Sequence, residues 1–204
     1  MSHPQPTLVD PRAVEILGGV RQAFAEKGFD GASMQDLARA CGMSVGNFYR
    51  YFPSKAAIVA ALITRDLAEM EAQFREILRS PDPMAALRDA LTQRITTQTC
   101  EGDGQLWAEI TAAALRKAEI SAITRQMEAE ITTYLTTVFA RVKALDTDEA
   151  RRRYHAHAML LVMLVKASAM HPADTQTTQT NLTALVLRTI NRTLDDIVSD
   201  DLKG

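Results

Sequence analysis

Residues 42–55, GMSVGNFYRYFPSK, combine side chains that can contact DNA. The segment has four aromatic rings in a chain that is only 5% aromatic. An asparagine such as Asn47 can form paired hydrogen bonds with adenine, and a valine such as Val45 can touch a thymine methyl. Residues 37–65 contain three arginines and one lysine and no acidic residue. Such a local excess of positive charge suits phosphate, so the segment indicates nucleic-acid binding.

Short helices position these side chains. Ser33 begins a second helix with Asp36 as its capping-box-like partner, and the pattern breaks at Gly42. Ser44 can cap a third helix, which Pro53 stops. Two short helices joined by a glycine-containing turn are typical of a helix-turn-helix, whose second helix enters the major groove of DNA.

In that arrangement the N-terminal residues of the third helix face base edges: Val45, Gly46 and Asn47. Gly46 leaves room for a close approach of the backbone. We assign Ser44, Tyr49 and Lys55 to phosphates, because hydroxyl groups, ammonium groups and helix N-termini are common phosphate ligands. Phe48 and Phe52 are expected to point inward and to hold the third helix in place.

The rest of the chain has helical periodicity, so we predict an all-α fold. A first helix is expected from Asp10-Pro11 to Gly28, and a fourth from Ser54 to about Arg79. Five longer helices follow, at roughly 83–99, 105–117, 119–145, 148–170 and 178–198. We divide the chain into a disordered arm (1–9), a three-helix domain with the helix-turn-helix (10–55) and a C-terminal helical domain (56–204).

The segment FAEKGFDGASMQDLARACGMSVGNFYRYFPSK, residues 24–55, resembles the N-terminal domain of TetR-type transcriptional repressors of the AcrR-like group. The resemblance covers about 45 residues and agrees with the all-helical plan. It implies a homodimer that binds a palindromic double-stranded DNA operator. It also implies a C-terminal domain that encloses a small-molecule effector, whose binding releases the DNA, and that dimerises through its last two long helices.

Carried over by position, the resemblance adds Gln35 to the base-facing residues and Ser33 to the phosphate contacts. The same resemblance assigns the dimer interface to apolar residues of the last two helices. These residues are Met159, Leu160, Leu182, Leu185, Val186 and Leu194.

Methionine and aromatic side chains of the C-terminal part could line an apolar ligand pocket, because they adapt to varied ligands. The candidates are Met70, Phe74, Trp107, Met127, Tyr134 and Met163. An ordinary core would use the same residues, and both interpretations stay open. His155 and His157 face different directions on a helix, so we expect no metal site, and we expect no cofactor.

The composition favours a cytoplasmic protein. The chain has two cysteines, no secretory signal and no apolar run long enough to span a bilayer. Two alternatives to a regulator are a small helical enzyme and a helical adaptor that binds proteins. No nucleophile elbow, metal-binding motif or glycine-rich phosphate loop supports an enzyme. The acid-free interval disfavours the adaptor.

Overall fold

The computed structural model describes residues 11–97, 103–170 and 175–199. The prediction of an all-α fold is confirmed, since these residues form nine helices and no strand. They are α1 (Pro11–Lys27), α2 (Met34–Ala40), α3 (Val45–Tyr51), α4 (Lys55–Arg79), α5 (Pro83–Thr97), α6 (Asp103–Ala114), α7 (Ala118–Lys143), α8 (Thr147–Met170) and α9 (Gln176–Ser199). None of these helices combines the length and apolar character that a membrane span requires. The predicted arm, residues 1–9, lies outside the described residues.

The described residues form two compact units. Unit 1 comprises the residues up to Ala68 and those from Asp103 to Met127. Unit 2 comprises the residues from Glu69 to Thr97 and those from Glu128 onward. The boundary thus falls within α4 and within α7. The predicted division at residue 55 concerns function and stays a prediction.

In unit 1, α1 packs against α2 and against α6, and α2 packs against α3. The apolar stripe predicted for α1 is buried, with Ile16, Val20 and Phe24 almost inaccessible to solvent. The helix ends at Gly28, whose φ of 72° lies in the left-handed region and whose N–H donates to the Phe24 carbonyl at 2.9 Å. This is the glycine cap that terminates many helices.

In unit 2, α5, α8 and α9 pack against one another. Tyr154 of α8 is fully buried, and its ring meets that of Phe139 edge to face at 6.2 Å between centroids. Arg88 of α5 is bound to α9, because its guanidinium donates to the Asn191 side chain at 2.9 Å and to Asp195 at 2.5 Å. The unit therefore has its own apolar core and a polar link at its edge.

Candidate nucleic-acid interface

The turn between α2 and α3 is fixed by its backbone hydrogen bonds. The N–H of Met43 donates to the Ala38 carbonyl at 2.9 Å, and the N–H of Gly42 donates to the Arg39 carbonyl at 3.0 Å. This pair of bonds is a Schellman motif, which requires a left-handed residue, and Gly42 has a φ of 62°. Gly42 therefore sets the angle at which the chain leaves α2 and enters α3.

Both helices of the pair begin with a serine cap, as predicted. The Ser33 hydroxyl accepts from the Asp36 N–H at 3.1 Å, and the Asp36 carboxylate accepts from the Ser33 N–H at 3.0 Å. Hydrogen bonds from Lys27 and Ser33 hold the pKa of Asp36 well below its ordinary value. The Ser44 hydroxyl caps α3 by accepting from the Asn47 N–H at 3.4 Å. Both seven-residue helices thus begin at a serine whose hydroxyl accepts a backbone hydrogen bond from the first turn.

The third helix has a buried side and an exposed side. Phe48 and Phe52 are buried, with ring centroids 5.6 Å apart, which confirms that they point inward. The predicted base-facing residues Val45, Gly46 and Asn47 are exposed at its N-terminal end. Gln35 of α2 is exposed as well. Because the two phenylalanines hold α3 from its buried side, its N-terminal end is left accessible to the major groove of DNA.

The predicted phosphate contacts differ in how far their side chains are already engaged. Tyr49 is 47% exposed, and Ser44 is exposed beside the N-terminus of α3. Ser33 already donates its hydroxyl hydrogen to Asp36 within the capping box. Lys55 donates to the carbonyls of Phe29, Ala32 and Asp30 at 2.6, 2.9 and 3.2 Å. A lysine ammonium has three hydrogens, so these bonds account for all its donors.

Each helix of the pair carries one arginine on its surface. The Arg39 side chain is 78% exposed, although one of its nitrogens lies 3.6 Å from the Asp36 carboxylate. Arg50 of α3 is exposed.

Residues of α6 and of the turn after it also contact the loop before α2, namely Glu109, Arg116 and Lys117. Sequence reasoning missed these three, because nothing in the chain signals a contact across about 80 residues.

The pocket candidates divide between the two units. In unit 1, Met127 is buried and Trp107 is half-buried. In unit 2, the rings of Phe74 and Tyr134 are 5.4 Å apart, and Met70 is half-buried. Burial raises the pKa of Tyr134, as do the nearby carboxylates of Glu71 and Glu130.

Met163 requires a correction. Its side chain is 62% exposed on α8, so it does not line the interior of unit 2. Its place is on the outer surface, with the exposed Met159 and Leu160 of the same helix.

Most of the predicted interface residues are exposed on unit 2. Met159, Leu160, Leu182 and Leu185 are large apolar side chains with at least a third of their surface in solvent. Val186 is half-buried. Leu194 is different, because it is completely buried in the core of unit 2. It is therefore corrected from an interface residue to a core residue.

Comparison with known proteins bears on the same segment. Residues 16–62 match the family model described as "Bacterial regulatory proteins, tetR family". The HTH-type transcriptional regulator UidR of Escherichia coli K12 is 32% identical over 133 residues, which cover 63% of this chain and 65% of UidR. The HTH-type transcriptional repressor Rv1474c of Mycobacterium tuberculosis is 32% identical over 127 residues, which cover 58% of this chain and 67% of the repressor. The match to UidR thus spans slightly less than two thirds of that relative.

Solved structures share the fold. Salmonella enterica GusR superposes with a TM-score of 0.66 and 24% identity, over 92% of this chain and 100% of that one. AibR, solved in complex with isovaleryl coenzyme A and operator DNA, has a TM-score of 0.64 and 17% identity, over 88% of this chain and 97% of that one. The helix-turn-helix, the matched segment and these likenesses agree, and the chain belongs to the TetR family of bacterial regulatory proteins.

Proposed function

We propose that this chain is a DNA-binding transcriptional repressor. The observation that carries the proposal is the N-terminal end of α3. Its residues are exposed, Phe48 and Phe52 are buried beneath it, and a Schellman motif precedes it. The segment with these features lies within the match to the family model, residues 16–62. Val45, Gly46 and Asn47, with Gln35 of α2, are proposed to contact bases. Tyr49 and Ser44 are proposed to bind phosphates, together with the exposed Arg50.

A homodimer on a palindromic operator follows from the same proposal. Two copies of α3 must lie about one turn of DNA apart, ~34 Å or a multiple, to enter successive major grooves. The exposed apolar residues of α8 and α9 supply a surface that a second copy would bury. We therefore propose Met159, Leu160, Met163, Leu182 and Leu185 as the interface, with Val186 at its edge.

A small-molecule effector completes the proposal. The structure of AibR, which has a similar fold, contains both isovaleryl coenzyme A and operator DNA. This supports the proposal that a small molecule also binds the present chain. In this chain α4 contributes residues to both units, and we propose it as the element that transmits ligand binding. The effector can lower operator affinity by no more than the ratio of its own affinities for two conformations, the one that does not bind DNA and the one that does.

The site of the effector is proposed within unit 2, at the half-buried candidates Met70, Phe74 and Tyr134. For Trp107 and Met127, which belong to unit 1, we propose the alternative, an ordinary place in the core. The named relatives are transcriptional regulators, and we propose the same non-enzymatic role, in the cytoplasm.

DNA from upstream of the protein's own gene tests the proposal. We expect a specific complex whose affinity falls steeply with salt, because bound phosphates release counterions. Asn47→Ala is expected to reduce the preference at one base position by about 1–3 kcal/mol. Gln35→Ala is expected to do so at another position. Electrophoretic mobility shifts with single-base operator variants measure both effects.

Gln73→Ala provides a matched control, because Gln73 is exposed on the part of α4 that belongs to unit 2. It should leave both affinity and base preference unchanged. If no upstream fragment binds more tightly than unrelated DNA, the repressor proposal is wrong. Equal losses of affinity for every sequence in Asn47→Ala would instead assign Asn47 to a phosphate.

A further inference from the structure

Residues 28–32, the turn between α1 and α2, are bound by the first residue of α4. The Lys55 ammonium donates to three carbonyls of this turn, at 2.6 Å to Phe29, 2.9 Å to Ala32 and 3.2 Å to Asp30. Ala32 is immediately followed by Ser33, the N-cap of α2. Lys55 therefore fixes the backbone that leads into the helix-turn-helix.

The same turn is also bound by α6 and the residues after it. The Glu109 carboxylate accepts from the Phe29 N–H at 2.8 Å. Arg116 and Lys117 donate to the Asp30 carboxylate at 2.7 and 2.6 Å. These bonds, from Lys117 first and Arg116 second, lower the pKa of Asp30 to about 2. The turn thus has charged partners at its N–H, at its carbonyls and at its side chain.

The aromatic ring of the turn is enclosed by the same groups. Phe29 is 2% exposed, and the ammonium groups of Lys55 and Lys117 lie 5.1 and 5.3 Å from its ring centroid. Both distances are within the range of a cation–π contact. Gly28 permits the approach, because a Cβ there would lie 3.0 Å from the Glu109 carboxylate. Turn, ring and charges form one packed structure within unit 1.

We propose that four residues, here called the turn clamp, are positioning residues of the DNA site: Lys55, Glu109, Arg116 and Lys117. In this proposal Lys55 holds the turn and does not bind a DNA phosphate. This inference rests on the proposed function. Three of the four residues lie outside residues 16–62, so the DNA-binding module would extend beyond the segment that the family model matches.

The geometry separates the two roles of Lys55. If its ammonium moved to a phosphate, three backbone carbonyls would lose their donor at the entrance to α2. Burial, followed by the nearby charge of Lys117, lowers the pKa of Lys55, whereas Asp30 raises it. Tyr49 and Arg50, by contrast, are exposed and would gain a phosphate partner without such a loss.

The salt dependence of operator binding tests the role of Lys55. Each phosphate contact contributes about 0.9 to the slope of log affinity against log salt. Lys55→Met keeps most of the apolar stem and removes the charge. We expect operator affinity to fall about tenfold at every salt concentration, with the slope unchanged, because the turn loosens and no phosphate contact is lost. A slope reduced by about 0.9 or more would overturn the assignment and identify Lys55 as a phosphate ligand.

Glu109, which lies on α6 and outside the helix-turn-helix, tests the clamp in a second way. Glu109→Ala is expected to weaken operator binding about tenfold, measured at a temperature at which circular dichroism shows the variant to be folded. Glu109→Gln keeps an acceptor for the Phe29 N–H and should recover most of the affinity. Hydrogen exchange at the amides of Phe29 and Leu37 should accelerate in Glu109→Ala and return in Glu109→Gln.

Glu76→Gln is the matched control, because Glu76 forms an exposed ion pair with Arg79 in unit 2. It should change neither operator affinity nor exchange at Phe29. If Glu109→Ala is folded and binds the operator as tightly as the wild type, the positioning role is wrong while the repressor function stands. If the wild type itself binds no operator, the proposed function fails first, and accelerated exchange at Leu37 would then support only a structural clamp.

Discussion

The N-terminal end of α3 and the outer side of α8 and α9 are both exposed, but they differ in chemistry. The first presents single polar groups on a two-turn helix, with Asn47 and Tyr49 above a buried Phe48. The second presents large apolar side chains on two long helices, among them Met163 and Leu185. Polar groups discriminate between partners through the placement of individual hydrogen bonds, whereas apolar groups contribute through the area that is covered. One surface is therefore suited to reading DNA and the other to binding a second copy.

The largest effect is expected beneath the exposed side of α3. Phe48→Ala should lower the free energy of unfolding by about 3–5 kcal/mol, because it leaves a cavity under α3. Tyr49→Phe, at the next position, should change it by less than about 0.5 kcal/mol and weaken operator binding. Urea unfolding measures both variants. A similar loss of stability in the two would show that the Tyr49 hydroxyl is needed for the fold and would contradict its assignment to DNA.

The apolar surface has an equivalent pair on α9. Leu194→Ala should lower the free energy of unfolding by about 2–5 kcal/mol and leave the dimer intact, because Leu194 is completely buried in its own unit. Leu185→Asp should instead yield folded monomers in sedimentation velocity, because Leu185 is 54% exposed. Since a dimer would contribute to the apparent stability, the comparison requires a fixed protein concentration. A Leu185→Asp variant that remains dimeric would contradict the proposed interface.

Replacing two glycines of the helix-turn-helix by alanine should change the stability of the protein in opposite directions. Gly42→Ala should destabilise the protein by about 1 kcal/mol, because its φ of 62° disfavours a side chain. Gly46→Ala should stabilise it by about 0.5–1 kcal/mol, because Gly46 lies within α3 and a Cβ there meets no atom within 4 Å. We expect the same Cβ to weaken operator binding, where the backbone approaches DNA. Thermal unfolding and mobility shifts together test this trade-off, and tighter DNA binding by Gly46→Ala would exclude the close approach.

The smallest effect is expected in acid. The pKa of Asp30 falls from its ordinary value of 3.8 to about 2, so its ion pairs stabilise the fold above the ordinary value and are lost as the pH falls toward 2. Asp30→Asn should therefore flatten the decline of stability between about pH 4 and 2, because one linked proton is removed. Asp89→Asn, at an exposed position on α5, is the control. Identical pH profiles for Asp30→Asn and wild type would show that the ion pairs do not stabilise the turn.

Local chemistry made the helix-turn-helix predictable. The capping serines Ser33 and Ser44 and the glycine at position 42 act within a few residues of themselves, so their types indicated where α2 ends and α3 begins. The inward direction of Phe48 followed from the helix-turn-helix interpretation, in which Val45, Gly46 and Asn47 occupy the opposite side of the third helix. The DNA contacts at Gln35 and Asn47 and the effector site remain predictions.

Periodicity was less informative in the longer helices. Leu182 and Ile190 lie only about 80° apart around α9, yet Leu182 is 36% exposed and Ile190 is 2% exposed. Met159 and Val162, three residues apart on α8, differ in the same way. A helical pattern indicates which residues are apolar, but it does not state whether the chain itself or a second copy covers them.

The sequence by itself determined the helical fold, the position of the helix-turn-helix and the burial of its phenylalanines, because these depend on interactions between near neighbours. Only the tertiary structure placed Glu109, Arg116 and Lys117 on the turn before α2 and turned the Lys55 ammonium toward three carbonyls. These contacts join residues about 25 to 90 positions apart, and each side chain is an ordinary surface type whose partner depends on how α1, α4 and α6 pack.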